Sequence, residues 1–513
     1  MERESAAGRR VSGLERLAEW GPAVFVLLFH LAFLPGYGVF RDELYYMACG
    51  RRPGWGYVDH PPLVGWVAWL VAHVTGESHL ALRVVAALAM AATVWLAGRI
   101  ARSLGGGPFA VALAGLATGL APVALSLGSY YSMNAFDLLF WALIGLLLVR
   151  VLSGGSERLW LAFGAAAGVG LLNKISILYL GFGLVVGLVL ARRWDVFRAR
   201  LFWAGGLLAF AIFLPHLLWQ QANGWPTLEF MANARLRKML PLSAPGFVKE
   251  ALLQTLPMAW LWVAGVGWLL VARASSRVRA LGFTFLVVVG VLAFGGGKPY
   301  YLAAAYSLPF AAGAVALESW TIGRARLLRP ALFVLMTGVA LAVSPLGRPV
   351  LPVETFVRYA AALGQKPGTE ERQALGRLPQ FYADMQGWRS MAESVAGVVR
   401  TLSPEDRAKA CVFGQNYGEA GAIEYFARDL DLPPAISAHN SYWLWGPGSC
   451  LGEVLVVIGS RRERLDELFA DVRLGGVTRC GDCMPYENGR SIWVARGLKQ
   501  PIATLWPRLK GFI

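Results

Sequence analysis

The feature that most constrains this chain is a succession of long apolar runs in its first 350 residues. A helix needs about 20 apolar residues to cross a bilayer. Eleven runs are predicted to span, at residues 20–36, 82–101, 109–128, 134–152, 159–173, 175–191, 201–220, 256–272, 280–297, 300–317 and 328–346. Because lipid offers the backbone no hydrogen bonds, these runs predict an α-helical polytopic membrane protein.

The composition excludes other classes of protein. Hydrophobic residues make up 56% of the chain and charged residues only 16%, whereas soluble proteins carry roughly a quarter charged residues. A disordered chain and an ordinary soluble enzyme are therefore excluded. The excess of 48 Lys and Arg over 32 Asp and Glu gives a formal charge of +16. The basic residues cluster between apolar runs, as in cytoplasmic loops, so we expect membrane lipids and no nucleic acid as partners.

The arginines also predict a topology with a cytoplasmic N-terminus. A twelfth run, 62–76, is too short to span and is expected to be an interfacial or re-entrant helix. The arginine-rich segments then all lie inside, beginning with Arg3, Arg9, Arg10 and Arg16. Residues 1–20 have no small-residue cleavage site after the apolar run and are predicted to form a retained anchor. The stretch 159–191 is expected to fold back near Asn173 and Lys174.

The character of the chain changes near residue 349. We predict a transmembrane domain at 1–348 and a small extracytoplasmic α/β domain at 349–513, with strands at 410–414 and 453–459. Helices are predicted at 371–400, 419–428 and 461–472. This domain holds four of the five cysteines, Cys411, Cys450, Cys480 and Cys483. They favour disulfides of open connectivity in an oxidising compartment, while the Cys480–Cys483 pair alone is weak evidence for zinc.

The scarce polar residues of the membrane half gather at its predicted outer side. They are Arg41, Asp42, Glu43, Asp59, His60, Arg83, Asn134, Asp137, Lys174 and Lys298. Lysine is rare, since 8 of the 48 basic residues are Lys and only Lys174, Lys238, Lys249 and Lys298 precede residue 350. Each charge alone could be an interfacial pair or a snorkelling anchor. As a set they indicate function, because charges at membrane depth cost a few kcal/mol each.

Carboxylates beside cations predict a reaction as well as a site. A carboxylate within hydrogen-bond reach can deprotonate an acceptor hydroxyl. Fixed cations can stabilise a departing phosphate. The Gly295–Lys298 segment lacks the spacing of a nucleotide-phosphate loop. A lipid-borne phosphate donor therefore fits these residues better than a nucleotide.

At these residues the chain resembles the GT-C superfamily of polyprenyl-phosphate-dependent glycosyltransferases. It is most similar to bacterial relatives of the protein O-mannosyltransferases (glycosyltransferase family 39), and more distantly to lipid A aminoarabinose transferase. The similarity covers most of residues 20–346. The motifs that carry it are residues 40–46 (Phe-Arg-Asp-Glu-Leu-Tyr-Tyr), 56–63 (Gly-Tyr-Val-Asp-His-Pro-Pro-Leu), 82–83 (Leu-Arg), 134–137 (Asn-Ala-Phe-Asp), 171–174 (Leu-Leu-Asn-Lys), 214–220 (Leu-Pro-His-Leu-Leu-Trp-Gln) and 297–301 (Gly-Lys-Pro-Tyr-Tyr).

The resemblance implies a GT-C fold and a role for each matching residue. Asp42 would be the catalytic acid/base, Glu43 would orient it or bind substrate, and Asp137 would bind acceptor or assist Asp42. The implied ligands of the donor phosphate are Lys298, Arg83 and Lys174, and the implied substrate-binding residues are His60, Tyr300, Tyr301 and Asn134. His60 stands where relatives often carry Lys. Aromatic residues of the C-terminal domain, in segments 416–419 and 438–443, could stack on sugar or only pack within the domain.

The sequence thus predicts an inverting glycosyltransferase of the bacterial cytoplasmic membrane. It would use a polyprenyl-phosphate sugar donor and a glycan, lipid or protein acceptor at the outer face. No cofactor is implied with certainty, and a divalent metal stays open because Asp42, Glu43, His60 and His216 show no diagnostic spacing. Two alternatives remain, a lipid or solute transporter or flippase, and a binding or assembly protein. The absence of an internal repeat counts against a transporter.

Overall fold

The computed structural model describes residues 13–513, so Arg3, Arg9, Arg10 and the first part of the predicted anchor lie outside the described residues. The N-terminal two thirds are helical. The helices are α1 Gly13–Ala32, α2 Arg41–Arg51, α3 Leu63–Thr75, α4 His79–Ser103, α5 Pro108–Leu120, α6 Pro122–Leu127, α7 Met133–Leu152, α8 Leu159–Asn173, α9 Ile177–Leu190, α10 Trp194–Arg198, α11 Arg200–Ala222, α12 Pro226–Asn233, α13 Ala244–Leu253, α14 Ala259–Val271, α15 Arg279–Gly295, α16 Ser307–Trp320 and α17 Leu328–Val343. A π-helical turn, Ala234–Lys238, follows α12, and 3₁₀ turns lie at Arg273–Val278, Pro299–Tyr306, Gly323–Leu327 and Ser344–Leu346.

Every predicted apolar run contains a helix, but the helices differ in length. Within residues 13–513, six helical segments are long and apolar enough to cross a membrane: His79–Ser103, Met133–Leu152, Arg200–Ala222, Arg273–Gly295, Pro299–Trp320 and Gly323–Leu346. Five shorter apolar helices accompany them. These helices indicate a multi-pass membrane protein, while the count of eleven spans stays a prediction.

Two finer expectations about the helices can be compared with the structure. The run 159–191 does fold back, since α8 ends at Asn173 and α9 begins at Ile177. The run 62–76 forms α3, whose 13 residues extend for about 20 Å. That length is below the roughly 30 Å of a bilayer core. Since α5 and α14 are equally short, length alone does not separate α3 from the predicted spans, and its interfacial or re-entrant position stays a prediction.

Glycines let neighbouring helices approach closely. A Cβ added at Gly265 of α14 would lie 1.9 Å from the carbonyl oxygen of Pro309 in α16. One added at Gly313 of α16 would lie 1.9 Å from the carbonyl oxygen of Leu261 in α14. Lipid tails are as apolar as the helices, so the hydrophobic effect does not drive helices together in a bilayer. Small residues at such contacts allow the close van der Waals packing that does.

The C-terminal part is an α/β region around one mixed sheet. Its helices are α18 Val353–Ala362, α19 Gln380–Ala383, α20 Trp388–Arg400, α21 Pro404–Lys409, α22 Tyr417–Leu430, α23 Ser441–Trp445, α24 Arg462–Leu468 and α25 Ile502–Leu505, with 3₁₀ turns at Pro485–Glu487 and Trp506–Leu509. Its strands are β1 Ala410–Gly414, β2 Ala435–Ser437, β3 Val454–Ile458, β4 Phe469–Val477 and β5 Ser491–Leu498. The strand order is β2-β1-β3-β5-β4. Strand β1 is parallel to β2 and β3, and β5 is antiparallel to β3 and β4.

The strands predicted at 410–414 and 453–459 are confirmed as β1 and β3, and the helix at 419–428 as part of α22. The other two helix predictions are partly wrong. Residues 370–372 pair their main chain with residues 238–240, so helix begins only at Gln380. Helix α24 ends at Leu468, and the rest of the predicted helix belongs to β4, because residues 469–477 pair with β5.

Two of the four cysteines in the C-terminal part form a disulfide, and the other two are free thiols. Cys411 of β1 forms a disulfide with Cys450 in the loop before β3. Cys480 and Cys483 are free thiols that contact each other, with the Cys483 amide 3.1 Å from the Cys480 sulfur.

The C-terminal region packs directly on α2. Helix α22 lies so close that a Cβ at Gly421 would be 3.0 Å from Cβ of Leu44. Glu424 of α22 forms ion pairs with Arg51, at 2.8 Å, and with Arg52, at 2.6 Å. Near the predicted boundary at 348/349, Arg348 donates to the carbonyl oxygen of His30 at 2.7 Å. The boundary itself stays a prediction, but the contacts of Gly421 and Glu424 bring the two parts together at α2, the helix that carries Asp42 and Glu43.

Candidate active site

Helix α2 directs its two neighbouring carboxylates into different surroundings. Glu43 is fully buried, and its carboxylate caps the helix by accepting the Phe40 amide at 2.8 Å. Its oxygens also accept the Tyr131 amide at 2.8 Å and a bidentate pair from Arg83, at 2.8 and 2.7 Å. The Asp42 side chain is 31% exposed. Of the two, only Asp42 is accessible to a substrate.

The C-terminal region supplies a hydrogen bond to Asp42. The Tyr417 hydroxyl donates to Asp42 Oδ1 at 2.8 Å. The Tyr417 ring is held between Tyr45, at 4.6 Å between ring centroids, and His439, at 5.0 Å. Arg41 lies 3.6 Å from the same Asp42 oxygen and 3.6 Å from Asp384. Asp42 therefore has a fixed orientation at the contact between the two parts of the molecule.

Two lysines converge on one carboxylate close to Asp42. Lys298 Nζ lies 3.1 Å and Lys238 Nζ 3.6 Å from Glu371 Oε1. Burial lowers the pKa of Lys238, and the positive charges of Arg41 and Lys298 lower it further. The negative charges of Glu371 and Asp42 oppose this shift. Burial alone would raise the pKa of Glu371, but Lys238, Lys298 and Arg41 together lower it to about 2. Asp42, Arg41 and both lysines therefore share one electrostatic neighbourhood.

A second cluster of charged and polar side chains surrounds Asp137 at the start of α7. Lys174 Nζ lies 3.2 Å from Asp137 Oδ2 and donates to Asn134 Oδ1 at 2.7 Å. The Ser176 hydroxyl donates to the other Asp137 oxygen. These contacts form because α8 and α9 turn back beside the first turn of α7.

Aromatic rings connect the two charged groups. Lys174 Nζ lies 4.9 Å from the centre of the Tyr301 ring and 6.0 Å from that of Tyr300. Lys298 Nζ lies 5.9 Å from the centre of the Tyr300 ring. Cations are attracted to the faces of aromatic rings at such distances. Contacts therefore run from Asp137 through Lys174 and the two tyrosines to Lys298. Lys298 and Lys238 share Glu371, and the charge of Asp42 acts on Lys238.

Arg83 and His60 occupy more enclosed positions. Arg83 is 1% exposed, and besides Glu43 its guanidinium donates to the carbonyl oxygens of Leu34, Pro35 and Gly38. His60 is 1% exposed, with Nδ1 at 2.8 Å from the carbonyl oxygen of Pro61 and its ring between tyrosines of α2 and Tyr57. The geometry favours structural roles for both, and their roles in binding phosphate and substrate stay predictions.

Several residues of the site were not picked out from the sequence. Lys238, Glu371 and Asp384 come from segments without a motif, and Tyr417 was noted only as an aromatic residue able to stack on sugar. The rarity of lysine was the one available signal for Lys238, since three of the four lysines before residue 350 lie in this site.

Two further carboxylates lie in this region, Asp384 and Asp59. Burial raises the pKa of Asp384 to about 7 despite the Arg41 charge. Asp59, which the sequence did single out, accepts a hydrogen bond from the Tyr45 hydroxyl at 2.8 Å.

The carboxylates around α2 are potential ligands of a metal ion. Among residues 13–513, no three side chains of His, Cys, Asp or Glu are arranged to hold an ion. Asp42 and Asp59 offer oxygen ligands, but each already accepts a hydrogen bond from a tyrosine hydroxyl. The described residues thus show no dedicated metal site, and a role for a divalent metal stays a prediction.

Comparison with known proteins identifies the fold. The family model described as dolichyl-phosphate-mannose-protein mannosyltransferase matches residues 59–219. The structure of ArnT from Cupriavidus metallidurans bound to undecaprenyl phosphate superposes with a TM-score of 0.60 at 16% identity, over 94% of this chain and 97% of that one. The apo state of the same protein gives 0.60 at 15% identity, over 92% and 97%. No curated protein sequence matches the chain significantly.

A further solved structure is archaeal oligosaccharyltransferase AglB from Archaeoglobus fulgidus, with a TM-score of 0.46 at 11% identity, over 81% of this chain and 64% of that one. The likeness to ArnT extends over nearly the whole of both chains, and therefore includes the C-terminal region. The resemblance predicted from the motifs is confirmed: the chain has the fold of the GT-C glycosyltransferases, and residues 59–219 match the mannosyltransferase family model.

Proposed function

We propose that this protein is a membrane glycosyltransferase that moves a sugar from a polyprenyl-phosphate carrier to an acceptor hydroxyl. The family match and the fold support a membrane glycosyltransferase. The observation that carries the finer proposal is the position of Asp42, an accessible carboxylate held by Tyr417 within electrostatic reach of Lys238 and, through it, Lys298. A base beside paired cations is what a transfer from a phosphate leaving group requires.

In this proposal Asp42 is the general base. Tyr417 and Arg41 both engage Oδ1, so Oδ2 takes the acceptor proton. The acceptor oxygen then attacks the anomeric carbon from the face opposite the phosphate. A carbon–oxygen bond forms, the bond from the anomeric carbon to the phosphate oxygen breaks, and its electron pair leaves with the phosphate. A single displacement of this kind inverts the anomeric configuration.

Lys298 and Lys238 would stabilise the charge that grows on the departing phosphate. Both are largely buried, where a fixed charge acts more strongly than in water. Tyr300 and Tyr301 extend from Lys298 towards Lys174 and offer ring faces to the sugar. The bound undecaprenyl phosphate of the ArnT structure supports a lipid phosphate as the group that leaves.

The proposal includes an orientation in a bacterial cytoplasmic membrane. With a cytoplasmic N-terminus and the C-terminal region outside, transfer takes place at the outer face, where a lipid-linked donor is available and nucleotide sugars are not. The acceptor is then a glycan, a lipid or a protein of the cell envelope. Arginine-rich connections between the predicted spans support this orientation.

The decisive experiment is transfer in proteoliposomes. A panel of radiolabelled undecaprenyl-phosphate sugars is offered with envelope glycan, lipid and protein acceptors, with and without a chelator. Substitution Asp42→Asn should abolish transfer and leave the fold intact. The matched control Asp429→Asn, at an exposed position of α22, should retain wild-type activity.

Two outcomes would contradict the proposal. Full activity in Asp42→Asn would remove the base. Movement of labelled lipid across the bilayer without a covalent product would instead favour a flippase.

A further inference from the structure

Glu371 occupies the two cations that the proposed function assigns to the lipid phosphate. Its Oε1 lies 3.1 Å from Lys298 Nζ and 3.6 Å from Lys238 Nζ, and its Oε2 accepts the Gln380 side-chain amide at 3.0 Å. The residue is 6% exposed. Within this trio, two positive charges therefore face one negative charge.

The main chain on both sides holds Glu371 in place. The Arg372 amide donates to the carbonyl oxygen of Lys238 at 2.9 Å, and the Leu240 amide donates to that of Glu370 at 3.1 Å. The Glu371 amide itself donates to the Thr369 hydroxyl at 2.9 Å. A carboxylate with its backbone and both oxygens engaged is a fixed charge and not a mobile surface side chain.

A fixed negative charge here acts differently on the two forms of the lipid phosphate. The phosphate of a sugar-loaded donor is a diester with one negative charge. The phosphate left after transfer is a monoester, which carries a charge of about −1.5 to −2 at neutral pH. Coulomb repulsion from a nearby carboxylate scales with that charge, so it weakens binding of the product more than binding of the donor.

We propose that Glu371 is a built-in counter-ion that keeps the Lys238–Lys298 pair from retaining the spent lipid phosphate and so promotes its release. This inference rests on the proposed function and adds to it a residue that distinguishes product from donor. Lys238 and Lys298 attract both forms, while Glu371 lowers the net charge of the site to match the monoanionic donor. The carboxylate acts on binding and takes no part in the bond-making step.

The test compares two lipid probes on wild type and Glu371→Gln. Undecaprenyl phosphate represents the spent carrier and its O-methyl ester represents the monoanionic donor. We expect Glu371→Gln to bind undecaprenyl phosphate about tenfold more tightly and the methyl ester about threefold more tightly, because the effect on free energy doubles with charge. In a transfer assay the variant should complete its first turnover normally and then slow, because the spent carrier stays bound.

Matched variants separate charge from structure. Glu371→Asp keeps the charge and should preserve the wild-type ratio of the two affinities. Glu405→Gln removes an exposed carboxylate of α21 that pairs with Lys409, and it should leave the ratio unchanged. Unfolding temperatures of all variants show whether a change arises from loss of the fold.

The outcomes also separate this inference from the proposed function. If wild type binds neither probe in a manner that depends on Lys298, the proposed function fails. If wild type binds both probes but Glu371→Gln leaves the ratio unchanged, or weakens binding, the release role of Glu371 is overturned while the transferase proposal stands.

Discussion

The Tyr417 hydroxyl of the C-terminal region donates a 2.8 Å hydrogen bond to Asp42 at the start of α2. The donor and the acceptor are separated by 375 residues, and they meet because α22 packs on α2. The C-terminal region therefore contributes directly to the orientation of the proposed base. This relationship distinguishes it from a domain that only covers the membrane part.

Tyr417→Phe should lower the turnover of the transferase by about 10- to 100-fold, because loss of one charge-assisted hydrogen bond costs of the order of 1.5–3 kcal/mol. The ring is retained, so its stacking on Tyr45 and His439 should preserve the fold. Steady-state kinetics should show the loss mainly in kcat, since Tyr417 is a positioning residue and not a ligand of the donor.

The control for this prediction is Tyr442→Phe. The Tyr442 hydroxyl donates to Glu424 at 3.0 Å, in the same contact between the two parts but without touching Asp42. Its activity should equal that of wild type. Equal losses in the two variants would mean that any weakening of the contact lowers activity, and that Tyr417 has no special role.

The buried Glu43–Arg83 pair should govern folding. Removing one partner of such a pair leaves an uncompensated charge and costs about 3–5 kcal/mol. Arg83→Met should therefore lower the free energy of unfolding by that amount, and Glu43→Gln/Arg83→Met should recover part of it. Unfolding in detergent, followed by circular dichroism, measures both values. A stable Arg83→Met protein with lost donor binding would instead support the phosphate role that the resemblance implies.

Asp384 should make stability depend on pH. Its pKa is raised from 3.8 to about 7, first by burial. The folded state therefore binds the proton more tightly than the unfolded state. The stabilisation is complete below about pH 4 and is lost as the pH rises towards 7, by at most about 1.4 kcal/mol per pH unit.

Asp384→Asn should remove this pH dependence. The unfolding temperature of wild type should fall relative to that of the variant between pH 4 and pH 7, and the difference should then level off. Parallel curves across this range would show that Asp384 titrates at its ordinary pKa in the folded protein.

The sequence was sufficient to predict the helical architecture, and it also singled out several of the charged residues that the structure brings together. Apolar runs mark the helices because the bilayer allows few alternatives. Asp42, Asp137, Lys174 and Lys298 stand out because charge is expensive near such runs. The same reasoning could not separate the surroundings of Asp42 from those of Glu43, which depend on how α2 is oriented against α4 and α22.

Contacts between distant connections could not be predicted. Lys238, Lys298 and Glu371 come from three separate segments, and no periodicity relates them. Strand β4 was misread for a similar reason. Residues 469–472 continue a plausible helix locally, and only the edge of β5 makes them a strand. Such features depend on tertiary pairing, which outweighs local propensity.

The orientation of the molecule can be tested at Cys480. Its thiol has a pKa lowered to about 7, chiefly by the hydrogen bond with Cys483, so a large share is thiolate at neutral pH and reacts with maleimides. The other described cysteines are protected, since Cys49 and Cys483 are buried and Cys411 is bonded to Cys450. A membrane-impermeant maleimide should therefore label Cys480 in intact cells if the C-terminal region is extracytoplasmic.

The labelling experiment includes a brief treatment with a membrane-impermeant reductant, because an oxidising compartment can join Cys480 and Cys483. Cys480→Ser should lose the label, and permeabilised cells should give the same labelling of wild type as intact cells. Labelling that appears only after permeabilisation would place the C-terminal region in the cytoplasm. Asp42, which Tyr417 of that region contacts, would then lie at the inner face, and transfer from an outer-leaflet donor would be contradicted.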